Sequence, residues 1–254
     1  MGLLQGLTEF LPVSSSGHLA LAQAVIPGFH QPGVLFDAML HVGTASAVVW
    51  YERGQIREWM GSAEGRRILG LLIIGTAATA VVGFALKEVA TGAFHRPAAV
   101  GAALIVTGLV VLSTRFIPGR DRDEYRTTWK QVVLIGLVQG IAVFPGLSRS
   151  GFTITAGLAA GLERAWAARF SFLLGVPAIA GATLFELLAQ RQELASISPQ
   201  FWLACAVGGL AAALSGYVAL LIVLRTVSSA TFHRFAWYCI PLGMLVLVLE
   251  MGIF

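Results

Sequence analysis

Two stretches of this chain, 3–26 and 132–160, are apolar at both ends and broken in the middle by the segments LPVSSSGH and FPGLSRSG. Each half of such a stretch is too short to cross a bilayer, which takes about 20 apolar residues. Proline, glycine and serine at the break free backbone groups that lipid cannot satisfy, so both breaks must be buried in protein. When the chain is laid on itself with a shift of 134 residues, the two broken stretches align without a gap. From Leu3/Leu137 to His18/Phe152, seven of sixteen positions are identical, where about one is expected by chance. Leu3, Gln5, Gly6, Phe10, Ser14, Ser16 and Gly17 match Leu137, Gln139, Gly140, Phe144, Ser148, Ser150 and Gly151. The same register continues through Phe36/Phe170, Leu40/Leu174, Val42/Val176, Gly75/Gly209, Ala77/Ala211 and Ala78/Ala212.

Six further apolar runs, 36–51, 68–86, 98–116, 170–189, 201–224 and 235–254, read as full spans, the first being short and needing its polar flanks to snorkel. With 57% hydrophobic and 12% charged residues among 254, the chain has more apolar surface than one soluble core can hide. Each half then contains one hairpin and three spans, and an odd number of crossings turns the second half upside down. The expected fold is an all-α polytopic membrane protein, a single membrane domain over 1–254. It consists of two inverted repeats, 1–120 and 130–254, each a re-entrant helical hairpin plus three transmembrane helices, with the hairpins meeting near the midplane.

If the first hairpin enters from outside, thirteen of the seventeen Lys and Arg fall on the inside. Lys87, Arg96 and Arg191 fall outside, and Arg149 lies within the second hairpin. This excess of inside cations fixes the orientation, with both termini outside. The net charge of +4 therefore belongs to topology, and no basic stripe interleaved with aromatics points to nucleic acid. Trp50, Trp59, Trp129, Trp202 and Trp237 lie near span ends and read as interface anchors. Cys205 and Cys239 sit in apolar runs without metal-type spacing and read as packing residues. Residues 1–4 offer no basic region before an apolar core, and position 6 is Gly, so neither a signal peptide nor a myristoylation signal is expected.

The segment QGLTEFLPVSSSGH places Gln5 and Glu9 four apart on one helical face, followed by Ser14, Ser15, Ser16 and His18. A carboxylate inside an apolar segment is costly enough to be functional by default. The serines taken alone could only pack helices, and a lone histidine could only complete a hydrogen bond. In FPGLSRSGFTIT, Arg149 stands between Ser148 and Ser150, with Thr153 one turn on. A buried guanidinium needs an anionic partner, and its planar fork suits phosphate oxygens. It could instead neutralise Glu9 across the repeat, or do both in turn as a substrate displaces the internal pair. Asp37 and His41, four apart on the next span, read equally as a layer behind the site or as a helix-face hydrogen bond at the membrane boundary.

These segments resemble the undecaprenyl-diphosphate phosphatase family of bacterial cell-envelope synthesis, membrane phosphatases of the bacitracin-resistance type. QGLTEFLPVSSSGH is similar to that family's (E/Q)xxxE element with its serine turn and histidine, and PGLSRSGFT to its PGxSRSxxT element. FDAMLHVGT at 36–44 and SFLLGVP at 171–177 extend the similarity over nearly the full chain. The resemblance implies hydrolysis of undecaprenyl diphosphate to the monophosphate plus inorganic phosphate at the outer face of the cytoplasmic membrane, which recycles the lipid carrier and confers bacitracin resistance. It also implies a divalent cation, Mg²⁺ or Ca²⁺, with Glu9 and Gln5 as metal ligands. Gln5 stands where many members carry glutamate, which removes one anionic ligand.

On this reading Ser15 attacks the terminal phosphorus, His18 shuttles protons, Glu9 with Gln5 holds the metal or activates the nucleophile, and Arg149 clamps the diphosphate. Gln5, Ser14, Ser148, Ser150 and Thr153 complete the substrate-binding set. A phosphorylated His18 and direct attack by water are the alternatives to Ser15. The partners expected are the polyprenyl diphosphate and membrane lipids, with a homodimer left open and nucleic acid excluded. The competing class is an inverted-repeat secondary transporter or lipid flippase, because broken helices at midplane are also transporter architecture. Translocation alone would not require a nucleophile, a histidine and a clamping arginine together. A structural scaffold would leave Glu9 and Arg149 unexplained.

Overall fold

The computed structural model describes residues 1–25, 34–94, 96–189, 191 and 197–250, and among these the regular structure is helical, with no strand. The first half contains α1 (Gly2–Phe10), α2 (Ser15–Val25), α3 (Val34–Gly61), α4 (Ala63–Ala93) and α5 (Pro97–Ser113), the last continued by a 3-10 turn at Thr114–Phe116. The second contains α6 (Trp129–Ile141), α7 (Arg149–Ala159), α8 (Arg164–Ala189), α9 (Pro199–Ser228) and α10 (Ala236–Glu250), with a 3-10 turn at Phe232–Phe235 before α10. Both broken stretches thus form pairs of short helices, α1 with α2 and α6 with α7, each helix shorter than a bilayer crossing requires.

Five helical segments are long and apolar enough to cross a membrane: Ala63–Ala93, Pro97–Phe116, Arg164–Ala189, Pro199–Ser228 and Phe232–Glu250. They contain five of the six runs read as spans, apart from residues 251–254, which lie outside the described residues. The sixth run, 36–51, lies in α3, which has 28 residues but carries Asp37, Glu52, Arg53, Arg57 and Glu58 and does not reach that apolarity. Local signals account for several boundaries. Ser62 accepts a hydrogen bond from Gly65 N at the start of α4, Ser198 caps α9, and Pro97 and Pro199 open α5 and α9 where a missing N–H costs nothing.

Close backbone approach seats the short helices. A Cβ on Gly2 or Gly6 of α1 would collide with the carbonyls of Gly208 and Ala212 on α9. A Cβ on Gly136 or Gly140 of α6 would do the same with the carbonyls of Gly75 and Thr79 on α4. Small residues four apart let membrane helices approach this closely, and Gly2/Gly136 and Gly6/Gly140 are themselves 134 residues apart. α3 packs on α8, and α5 on α10.

The two hairpin turns meet. Ser14 Oγ accepts from Gly146 N of the other turn (3.1 Å) as well as from Gly17 N (3.2 Å), and Ser150 Oγ donates to Leu11 O (3.3 Å). Thr107 of α5 fixes the second turn by donating to Gly146 O (2.9 Å) and accepting from Ser148 N (3.0 Å). Gly146 has φ +93 and sits so close to the Val100 carbonyl that a side chain would be both strained and crowded.

Two sequence assignments change in the core. Trp59, read as an interface anchor, is fully buried and meets Trp166 edge-on with centroids 5.9 Å apart. The other four, Trp50, Trp129, Trp202 and Trp237, remain exposed to a substantial degree. Trp59 differs because α3 continues past the apolar run and packs its last turns against α8. Arg169, one of the thirteen cations counted on the inside, lies within α8 and grips buried Glu52 of α3 with two hydrogen bonds, Nε to Oε1 (2.8 Å) and Nη2 to Oε2 (2.5 Å). Both cysteines are buried, as expected, and Cys239 Sγ donates to Pro12 O (3.2 Å).

Candidate active site

Where α1 ends, Glu9 is carried under the turn that starts α2, and it is buried to 6% exposure. Gln5, one turn back on the same face, donates from Nε2 to Glu9 Oε2 (2.9 Å). Ser15, the first residue of α2, donates from Oγ to the same oxygen (2.5 Å). Arg149, the first residue of α7, places Nη2 on Glu9 Oε1 as a close ion pair. Its Nη1 donates to the Gly175 carbonyl on α8 (3.3 Å). Any side chain at Gly175 would strike the guanidinium, with Cβ 2.6 Å from Nη1, so that glycine makes room for the arginine. Pro177 interrupts the hydrogen-bond ladder of α8 next to Gly175.

The 134-residue register gives this cluster a plain form. Ser15 and Arg149 occupy equivalent positions, as do Ser14 and Ser148, Gln5 and Gln139, and His41 and Gly175, whereas the counterpart of Glu9 is Val143. Two helix N-termini therefore converge on one carboxylate. Free N–H groups and the positive end of the helix dipole make such termini anion sites.

The structure thus brings Gln5, Glu9, Ser15 and Arg149 together. The other hydroxyls have definite partners within the protein. Ser14 and Ser148 cap α2 and α7 by accepting from Gly17 N (3.2 Å) and Gly151 N (3.1 Å). Ser148 and Ser150 bond each other (3.1 Å), and Thr153 donates to Arg149 O (2.8 Å) and pairs with Ser171 on α8. His18 donates from Nδ1 to Ser14 O (2.8 Å), which leaves Nε2 of the neutral ring to accept from the Tyr238 hydroxyl (2.7 Å).

Three further residues contribute: His41, which the sequence left between a layer behind the site and a helix-face hydrogen bond, and Gly175 and Tyr238, which it did not single out. His41 stands with Nε2 3.6 Å from Glu9 Oε2, and its Nδ1 donates to the Asp37 carbonyl (2.8 Å). The four-residue spacing of Asp37 and His41 was the available signal, although the contact is to the backbone of Asp37 and not its carboxylate. Gly175 acts through its carbonyl and Tyr238 through a contact 220 residues away, and neither leaves a local signature.

A hard cation takes oxygen ligands. Gln5 Oε1 is a buried amide oxygen without a hydrogen-bond partner, next to the Glu9 carboxylate. Among the described residues no group of three His, Cys, Asp or Glu is placed to hold a metal. A cation at this place would have Gln5 Oε1 and the Glu9 carboxylate as its protein ligands.

Fold and site define a polytopic helical membrane protein with a charged Glu9–Arg149 centre buried where two short helix pairs meet. The chain belongs to the family described as bacitracin resistance protein BacA, which matches residues 1–245. It is 41% identical over 251 residues to an undecaprenyl-diphosphatase of Syntrophotalea carbinolica, covering 96% of this chain and 94% of that one. It is 42% identical over 272 residues to one of Desulfosudis oleivorans, with the same two coverages. A third, from Carboxydothermus hydrogenoformans, is 39% identical over 251 residues, covering 98% of this chain and 95% of that one.

Proposed function

We propose that this chain hydrolyses a polyprenyl diphosphate, undecaprenyl diphosphate by the names of its relatives, to the monophosphate and inorganic phosphate in the cytoplasmic membrane. In doing so it returns the lipid carrier to envelope synthesis and underlies bacitracin resistance. The observation that carries this reading is the meeting of Ser15 and Arg149, each opening a helix, on one buried carboxylate. The protein's own anion occupies the place a diphosphate would take.

An incoming diphosphate draws the guanidinium fork off Glu9 and onto its own oxygens. Glu9 then takes the Ser15 proton as Oγ attacks the terminal phosphorus. The bond from that phosphorus to the bridging oxygen breaks, and the polyprenyl monophosphate leaves with its charge met by Arg149. Water next cleaves the phosphoserine with Glu9 again exchanging the proton, and inorganic phosphate is released. His18 lies three residues after Ser15 on the same helix face and carries protons between this centre and the outside. Ser14, Ser148, Ser150 and Thr153 serve the substrate by fixing the two helix N-termini that receive its oxygens. Glu9 and Gln5 would hold Mg²⁺ or Ca²⁺, which when bound neutralises charge on the diphosphate.

The helix pairs α1/α2 and α6/α7 are re-entrant hairpins of two inverted halves, a reading supported by the shortness of these helices and by the 134-residue repeat, and one that makes α3, less apolar than α4 and α5, the third crossing between them. The site opens to the outer face. In intact cells, a membrane-impermeant thiol reagent is expected to miss Asp121→Cys and to label Arg191→Cys, and the opposite pattern would reverse the orientation.

The activity is tested with purified protein in detergent. Phosphate release from a polyprenyl diphosphate is expected, with loss on chelation and recovery on adding Mg²⁺ or Ca²⁺. Folded protein that releases no phosphate under any cation would overturn the assignment and leave lipid translocation as the better reading.

A further inference from the structure

A groove of about 360 Å³ runs along the seam between α3 and α8. Its walls are supplied by repeat-equivalent positions, Val42 with Val176, Ala45 with Ile179 and Ser46 with Ala180, each pair 134 residues apart. Two lining residues at one end directly follow residues of the site in sequence. Val42 follows His41, which stands 3.6 Å from Glu9, and Val176 follows Gly175, whose carbonyl accepts from Arg149. The hydroxyl of Ser46 is turned to its own helix, donating to Val42 O (2.8 Å), so the wall presents hydrocarbon along its length. The far end is closed by Arg53, whose guanidinium lies 4.3 Å over the exposed Trp50 ring and donates to Trp50 O. Val49 and Trp50 leave that end open sideways to lipid.

We propose that this groove is the seat of the first isoprene units of the lipid substrate, next to the diphosphate, with the rest of the chain leaving sideways past Trp50 into the bilayer. The inference rests on the hydrolytic reading above. A diphosphate at Arg149 must lead its ester-linked carbon away from the charged cluster, and the α3/α8 seam offers an apolar path that starts at residues adjoining that cluster. A groove with hydrocarbon walls and charge only at its two ends rejects a polar chain and accepts an extended hydrocarbon. Tail contacts here are the same in ground and transition states, so they should govern KM more than kcat.

The test uses substitutions that fill the groove from lipid-exposed positions on opposite walls, Ala180→Trp and Ser46→Trp, with Leu214→Trp on the lipid-facing side of α9 as a bulk control. Prenyl diphosphates of increasing length are assayed, starting from a single isoprene unit. For wild type and Leu214→Trp, kcat/KM should rise with each unit until the groove is full and then level off. In either groove variant the rise should flatten, with KM for long chains raised about tenfold or more and the single-unit substrate turned over within about twofold of wild type. Groove variants that keep the wild-type length dependence would assign the groove to bulk lipid and overturn the proposal. Equal loss at every length would overturn it too, since the filled groove would then act on the reacting centre and not on the tail. Failure of the hydrolytic reading is recognisable separately, because wild type itself would then release no phosphate at any length.

Discussion

Glu9→Gln is expected to lower phosphate release by about 10²–10⁴-fold, the range associated with losing a general base. The amide cannot take the Ser15 proton, and it leaves Arg149 facing a neutral group. Stranding a partly buried cation also costs stability, on the order of 3–5 kcal/mol in full burial and less here because Arg149 keeps 24% of its side-chain exposure. The two effects separate in the double variant Glu9→Gln/Arg149→Gln. Removing the stranded charge should restore much of the thermal stability in detergent while activity stays lost. A folded Glu9→Gln protein with full turnover would remove Glu9 from the chemistry, whichever group is the nucleophile.

Within the serine turn the consequences should be unequal. Ser15→Ala is expected to abolish phosphate release, because Ser15 is the serine bonded to Glu9, at 2.5 Å. Ser16→Ala should be mild, since among the described residues Ser16 Oγ bonds the hydroxyl of Ser14, at 3.3 Å, and not Glu9. Rapid quenching of wild type during turnover should trap a protein-bound phosphate that is labile to alkali, as a phosphoserine ester is. An acid-labile adduct would move the nucleophile to His18. Residual turnover in Ser15→Ala with no trapped adduct would leave attack to water.

Much of the helical layout was legible because lipid imposes a simple code on sequence. Apolar runs of about 20 residues mark crossings, and a Pro-Gly-Ser break inside such a run marks a helix pair. The code failed at α3, where helix continues past Tyr51 through Glu52, Arg53 and Glu58 without an apolar signal. Its end is held instead by packing of Trp59 on Trp166 and by the Glu52–Arg169 pair, contacts that only the folded chain creates. The Glu9–Arg149 pair was legible as an alternative to phosphate binding, because two opposite charges inside apolar segments need partners. The serines could not be assigned as easily. A hydroxyl at a helix start suits phosphate and backbone N–H alike, and Ser14 and Ser148 prove to be caps. Gly175 contributes a carbonyl, which every residue has, so nothing in its identity announced the contact with Arg149.

The equivalence of Ser15 and Arg149 bears on how such a centre could have arisen. Two identical half-length chains paired about a twofold axis would place the same side chain at the head of both helices. Two hydroxyls there would have nothing to grip a diphosphate, and two guanidiniums would have nothing to attack it. The acid raises the same difficulty, since Glu9 faces Arg149 while its counterpart is the neutral Val143, and a symmetric ancestor would have buried two carboxylates side by side. On the proposed mechanism, division of labour between attack and grip requires the two copies to diverge, and covalent fusion into one polypeptide guarantees that each molecule carries one of each.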